Sequence, residues 1–285
     1  MARLSEETWI ARGEVVVDFD AAYDNRAAVA DAGAIVSRWQ ADAAAFRDRL
    51  VEAKRADIGI SCGSRPRQRY DLFHPEGEAK GLVVFIHGGY WKSQDVESFS
   101  HFASGSLARD YAVALPEYTL CPDATIPEIT REIGACLDHV AGRVAGPIRL
   151  SGHSAGGHLA ARMICEDAPV AASTAERIDR VVSISGLHDL RPIMRTAMND
   201  VLGLDIQTAR AESPALLEPR LGAELICVAG ADELPELRRQ NALLPNVWCG
   251  FGLRTRGLEI PGRHHLDVID VLCDERGDLV ELLTS

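Results

Sequence analysis

The sequence predicts an α/β fold: one mostly parallel sheet with helices packed on both faces. Three observations lead there. From Gln68 to the C-terminus, segments that read as strands alternate with segments that read as helices, the order a parallel sheet requires. The central strand candidates, residues 82–86 above all, are continuous apolar runs with no polar face, as strands covered on both sides must be. A chain of 285 residues can build one large core. The expectation is a single domain over 1–285, in which residues 1–66 form an N-terminal arm contributing to a cap and 189–217 form a small lid insertion.

Taken in order, residues 26–53 carry apolar positions at three- and four-residue spacing with Ala throughout, which predicts a helix. Residues 70–73 and 82–86 read as strands, 99–109 as a helix and 112–115 as a strand. The stretch "TIPEITREIGACLDHVAGR", 125–143, is an amphipathic helix with Thr125 near its N-cap and Pro127 in its first turn. A strand at 148–150, a helix at 154–165 and a strand at 181–184 follow. After the polar, partly helical insertion come a strand at 225–228, a helix at 234–244, a strand at 258–260 and a helix from Asp267.

Composition narrows the function classes. The formal net charge of −12 argues against nucleic acid or an anionic membrane surface as partner, since both call for a basic surface. Acidic residues interrupt "MARLSEETWIARGEVVVDFD" where a secretory signal needs an apolar core, and no run of 18 apolar residues exists. A cytoplasmic protein acting on a small molecule is therefore expected, with a homodimer left open. The seven cysteines are odd in number, scattered and without a CxxC pair, so neither a disulfide framework nor a zinc site is indicated. No cofactor and no metal are called for.

Ligands of open α/β sheets lie beyond the carboxyl ends of the strands. There the strand at 148–150 runs into "SGHSAGGHLAA", whose Gly152-His153-Ser154-Ala155-Gly156 is a GxSxG pentapeptide between strand and helix, the context a nucleophile elbow requires. Ser154 then stands at a helix N-terminus, with the amide of Ala155 free to donate to an oxyanion. A serine nucleophile needs a general base, and the base needs an orienting carboxylate, in the chain order Ser, acid, His. The strand at 225–228 ends in "AGADE" and puts Asp232 past its carboxyl end, ahead of its competitors Glu233 and Asp189. Asp189 also reads as a cap on the segment it precedes. The strand at 258–260 ends in "PGRHHLDV" and offers His264 or His265 as base. His153 and His158 read as structural, and His87 as a brace for the loop after strand 82–86.

That loop, "HGGYW", supplies the second half of an oxyanion hole: Gly89 and Tyr90 are the expected amide donors, with Gly88 allowing the geometry. Tyr90, Trp91 and Tyr118 are the expected walls of a substrate pocket. Tyr23, Asn25 and Arg26 of the arm, with the insertion, are candidates for a lid, and Arg26, Arg191 or Arg195 for a carboxylate contact.

"HGGYW", "EYTLCPDATIPEI", "GHSAGGHLAA", "SISGLHDLRPI" and "PGRHHLDVID", in this order over residues 83–270, resemble the α/β-hydrolase superfamily, and within it the arylformamidase branch of the esterase/lipase group. "AAYDNRAAV", 21–29, is similar to the arm of bacterial members. The resemblance implies a serine hydrolase with Ser154, Asp232 and His265 as triad and N-formyl-L-kynurenine as leading substrate. It also favours His265 over His264. Leu266 stands where many relatives have Phe and His264 where many have Asn, so a carboxylesterase or amidase acting on another small acyl group is the runner-up. A binding module with an idle serine is the remote alternative.

Overall fold

A computed structural model of the protein describes residues 16–285, so the first fifteen residues of the expected arm lie outside the described residues. Eight strands form one sheet: β1 Ala56–Ser61, β2 Arg69–Phe73, β3 Leu82–Ile86, β4 Ala112–Pro116, β5 Ile148–His153, β6 Ile178–Ile184, β7 Glu224–Gly230 and β8 Arg254–Ile260. Their spatial order is β1-β2-β4-β3-β5-β6-β7-β8. β1 and β2 run antiparallel at one edge, and every pairing from β4 to β8 is parallel.

The helices are α1 Phe19–Tyr23, α2 Ala32–Glu52, α3 Ser104–Ala108, α4 Ile126–Ala141, α5 Ala155–Arg162, α6 Ala172–Ala175, α7 Asn199–Leu202, α8 Ile206–Ala211, α9 Pro235–Trp248 and α10 Asp278–Thr284. Period-two alternation along the buried strands divides the core into two layers. Leu82, Val84 and Ile86 face a cluster that includes Ile129, Leu137, Leu159 and Trp248, whereas Val83 and Phe85 face Trp39, Phe102 and Leu283. Both sides of the sheet are thus covered, as the apolar strand sequences demanded.

The differences from the sequence reading have local causes. α2 starts at Ala32, because turns occupy 24–31. β1 was not anticipated: mostly exposed on an edge, it carries no apolar run. The expected helix over 99–109 is one short 3₁₀ turn, Ser100–Ala103, followed by α3; its Ser and Gly residues are weak helix formers, and Gly105 packs against the Leu272 and Asp274 carbonyls. The expected helix from Asp267 is a 3₁₀ segment, Asp267–Cys273, and only then α10. Residues 189–217 do form a partly helical insertion, containing α7 and α8.

One feature of the topology positions the site. From β3 the chain leaves toward β4 on one side, and from β5 it leaves toward β6 on the other. The two outgoing loops diverge and leave a crevice above the carboxyl ends of β3 and β5.

Candidate active site

β5 ends at His153 and α5 begins at Ala155, so the whole strand-to-helix reversal falls on Ser154. Its φ of 56° and ψ of −119° lie where a residue with a Cβ rarely settles, a conformation that surroundings must impose. The Ser154 amide donates to the Ile184 carbonyl at 2.8 Å and the Ser154 carbonyl accepts from His158 N at 3.1 Å, which fixes both sides of the bend. The glycines around it are explained by close approach: a Cβ on Gly156 would run into the carbonyls of Ile86 and His87, and one on Gly152 into the backbone of Gly156.

The loop after β3 passes directly over this turn. A Cβ on Gly88 would come within 2.9 Å of the His153 carbonyl and 3.1 Å of Ser154 Cβ. Gly89, Tyr90 and Trp91 then have φ of 108°, 48° and 54°, three consecutive residues in the left-handed region. Among the described residues, the amides of Gly89, Tyr90 and Ala155 donate to no backbone or side-chain acceptor. Below the loop, His87 Nδ1 donates to the Gly88 carbonyl at 2.7 Å, the His87 ring stacks on Tyr118 at 4.4 Å, and the Tyr118 hydroxyl donates to the carbonyls of His87 and Gly88.

The structure brings Glu233, not Asp232, to His265. His265 Nδ1 lies 2.7 Å from Glu233 Oε2, while Glu233 Oε1 accepts from the Ser185 hydroxyl at 2.5 Å and from Gly230 N at 2.7 Å. Asp232 is exposed, and its carboxylate makes no hydrogen bond or ion pair among the described residues. The cause is the turn after β7: Glu233 N bonds back to the Gly230 carbonyl at 3.2 Å and Asp232 N to the Arg263 carbonyl at 2.9 Å, so residue 232 faces out and 233 faces in. Asp189 is held by Arg191 at 2.8 and 2.9 Å and caps its own turn. His264 is likewise a local cap, its Nδ1 facing the amides of Leu266 and Asp267 at 3.2 Å.

Ser154, Glu233 and His265 are only 3%, 6% and 5% exposed, so the His265–Glu233 pair interacts in a shielded environment. Burial works to raise the Glu233 pKa, but the His265 charge and the hydrogen bonds from His265, Ser185 and Gly230 outweigh it and hold the carboxyl below its ordinary value. In the tautomer that donates from Nδ1 to this carboxylate, Nε2 is left as the acceptor nitrogen. His153 adds a second restraint, its Nε2 donating to the His265 carbonyl at 2.8 Å; burial, helped by the His265 charge, drives its pKa down to about 3, so it stays neutral.

Two expected pocket walls belong to the core instead. Trp91 and Tyr118 are fully buried, Trp91 in a T-shaped contact with His158 and Tyr118 beneath the loop. Their large rings fill the space under a glycine-rich backbone that cannot fill it itself. Tyr90 is half-exposed, and its hydroxyl meets the arm. Of the candidate arginines, Arg26 is exposed, Arg191 is engaged by Asp189, and Arg195 stacks on Phe19 at 4.1 Å. Ser185, at φ 52°, escaped sequence reasoning altogether, because a serine at a strand end carries no signal of what it will meet. Among the described residues, no group of three or more His, Cys, Asp or Glu is arranged to hold a metal ion, and no helix is long and apolar enough to cross a membrane.

Comparison with known proteins agrees with this architecture. The BD-FAE family model matches residues 70–219, more than half of the chain. A kynurenine formamidase of Salmo salar is 25% identical over 79% of this chain and 80% of its own length, and one of Danio rerio is 24% identical over 83% of each. A crystal structure from Silicibacter sp. TM1040, provisionally described as a thioesterase, is 40% identical with a TM-score of 0.88 and covers 94% of this chain and 99% of its own. The hyperthermophilic esterase of Pyrobaculum calidifontis shares the fold at 19% identity, with a TM-score of 0.64 over 89% of this chain and 91% of its own. From family match, full-length relatives and fold together, the chain belongs to the BD-FAE family and is a hydrolase of the arylformamidase-like α/β-hydrolase type.

Proposed function

We propose that the protein is a serine hydrolase in which Ser154 is the nucleophile, His265 the general base and Glu233 the orienting acid, and that it cleaves N-formyl-L-kynurenine to formate and kynurenine. The observation that carries the mechanism is the pairing of His265 Nδ1 with buried Glu233, tied through the His265 carbonyl to His153, whose chain neighbour Ser154 is held at φ 56° under a loop with unused amides. Ser154 Oγ attacks the formyl carbonyl as its proton passes to His265 Nε2. The resulting oxyanion is received by the amides of Ala155 and of Gly89 or Tyr90, each such donor being worth about 10²- to 10³-fold in rate. The proton on His265 goes to the departing aryl amine, leaving a formyl ester on Ser154. Water, deprotonated in turn by His265, attacks that ester and releases formate, and the proton returns to Ser154.

The substrate reading is supported by the kynurenine formamidases, which match along four-fifths or more of their own length. A second reading, hydrolysis of a small ester or thioester, is favoured by the 40% identical neighbour described provisionally as a thioesterase. One comparison tests both: kcat/KM for N-formyl-L-kynurenine, p-nitrophenyl acetate and acetyl-coenzyme A, each with Ser154→Ala as control. The formamide is expected to lead, and Ser154→Ala to abolish turnover of all three. A formamide poorer than an ester or thioester by orders of magnitude would overturn the substrate reading, and full turnover by Ser154→Ala the mechanism.

A further inference from the structure

We propose that Tyr23 and Asn25 of the N-terminal arm are positioning residues of the active site, clamping the Tyr90 hydroxyl and so holding the Gly89 and Tyr90 amides over Ser154. This rests on the serine-hydrolase reading above. The oxyanion loop needs a clamp, since three successive positive-φ residues, two of them carrying side chains, persist only where neighbours over-determine them. Trp91 is fixed from below by its buried ring and by its carbonyl, which accepts from Cys121 N at 2.8 Å. Tyr90 is seated less deeply, only partly buried against the edge of that core. Its hydroxyl reaches out to the arm, donating to the Tyr23 carbonyl at 2.7 Å and accepting from Asn25 Nδ2 at 2.9 Å.

The arm is itself anchored to the helix that directly follows Glu233. The Tyr23 ring is buried, and its hydroxyl donates to Glu236 Oε1 at 2.5 Å and accepts from Gln240 Nε2 at 3.2 Å, both on α9, which begins two residues after Glu233. Asp20 Oδ1 of α1 accepts Ala197 N, tying the other end to the insertion. The clamp thus spans from the oxyanion loop to the acid-bearing turn, the two parts whose spacing a tetrahedral intermediate must match. The chemistry of Asn25 argues against a role as mere filler. It is 5% exposed, its one side-chain hydrogen bond goes to Tyr90, and its Oδ1 is buried without a partner, an arrangement an apolar residue would satisfy better if packing were the whole purpose. Burial, seconded by the Glu233 charge, pushes the Tyr90 pKa upward, so the hydroxyl keeps the proton it donates.

Asn25→Ala and Tyr90→Phe should each lower kcat by about 10- to 100-fold, the range for a small displacement of a transition-state donor, with KM changed by less than about threefold. Affinity for an alkylboronic acid, which forms a tetrahedral adduct on the serine, should fall in parallel with kcat, while the double variant should lose no more than either single one. Tyr23→Phe, which frees the arm from Glu236 but keeps the Tyr23 carbonyl, should give a smaller loss of the same kind. Unchanged kcat with a lowered Tm would make the clamp a purely structural contact, and a raised KM at constant kcat would make it a pocket wall; either overturns the proposal. Ser154→Ala separates the two failures: if it abolishes turnover while Asn25→Ala and Tyr90→Phe leave kcat intact, the clamp alone is wrong, and if it retains turnover, both readings fall.

Discussion

At the scale of single residues the decisive pair is Asp232 and Glu233, adjacent in sequence and opposite in fate. Both stand where a triad acid is expected, and strand-end position cannot separate neighbours. The backbone bonds of the turn from Gly230 decide, sending one carboxylate into solvent and the other between Ser185, Gly230 N and His265. Glu233→Gln is therefore expected to cost about 10²- to 10⁴-fold in kcat, since an amide cannot hold the His265 tautomer. Asp232→Asn should stay within about twofold, and steady-state kinetics on the preferred substrate compare them directly. A larger loss from Asp232→Asn would reverse the assignment. Ser154 was legible for a different reason: glycines two residues to either side of a serine, between a strand and a helix, are needed only where backbone crowds backbone. Trp91 and Tyr118 were misread because an aromatic beside a glycine loop has the same letter whether it lines a pocket or fills the space beneath a backbone.

At the scale of elements, the two turns at the β3 and β5 ends act as one unit through contact, and Gly88 is the point of contact. Adding a methyl there meets the His153 carbonyl at 2.9 Å and Ser154 Cβ at 3.1 Å, so the loop must lift by a few tenths of an ångström. Gly88→Ala is expected to reduce kcat by about 10- to 100-fold through displaced oxyanion donors. The loop can move without disturbing the sheet, so a thermal melt should show only a small fall in Tm. Equal losses in stability and activity would mean that the loop is part of the core rather than of the chemistry. The same scale explains which boundaries the sequence showed. α4, with Thr125 N and Oγ1 both donating to Glu128 Oε2, announces its start. β1 and the segment around α3 take their shape from partners far away in the chain and announce nothing.

At the scale of the whole molecule, the acidic composition conceals a set of histidines whose burial ties stability to pH. Burial leads in lowering the pKa of His87, His101 and His188 to about 4 and of His153 and His158 to about 3. The ordinary histidine value is 6.5, so between about 6.5 and about 4 the unfolded chain binds protons that the folded one does not. Stability must then fall as pH falls through that window, each buried histidine contributing at most about 1.4 kcal/mol per pH unit. Glu233 adds a loss at lower pH, because its depressed pKa stabilises the fold above the ordinary carboxylate value and ceases to do so as pH drops through the folded one. Chemical denaturation from pH 7.5 to 4.5 is expected to show a steep, monotonic decline, and a flat profile would contradict the unprotonated burial of these rings. The sequence by itself determined the alternation of strand and helix, the strand-to-helix turn at Ser154 and the chain order of serine, carboxylate and histidine at the strand ends, because periodicity, glycine spacing and strand-end position are local properties of the chain. Only the tertiary structure decided which carboxylate meets His265, that Trp91 and Tyr118 lie beneath the loop, and that Asn25 reaches Tyr90 across 65 residues. Those are contacts between segments remote in sequence, fixed by how turns direct side chains once the sheet has assembled.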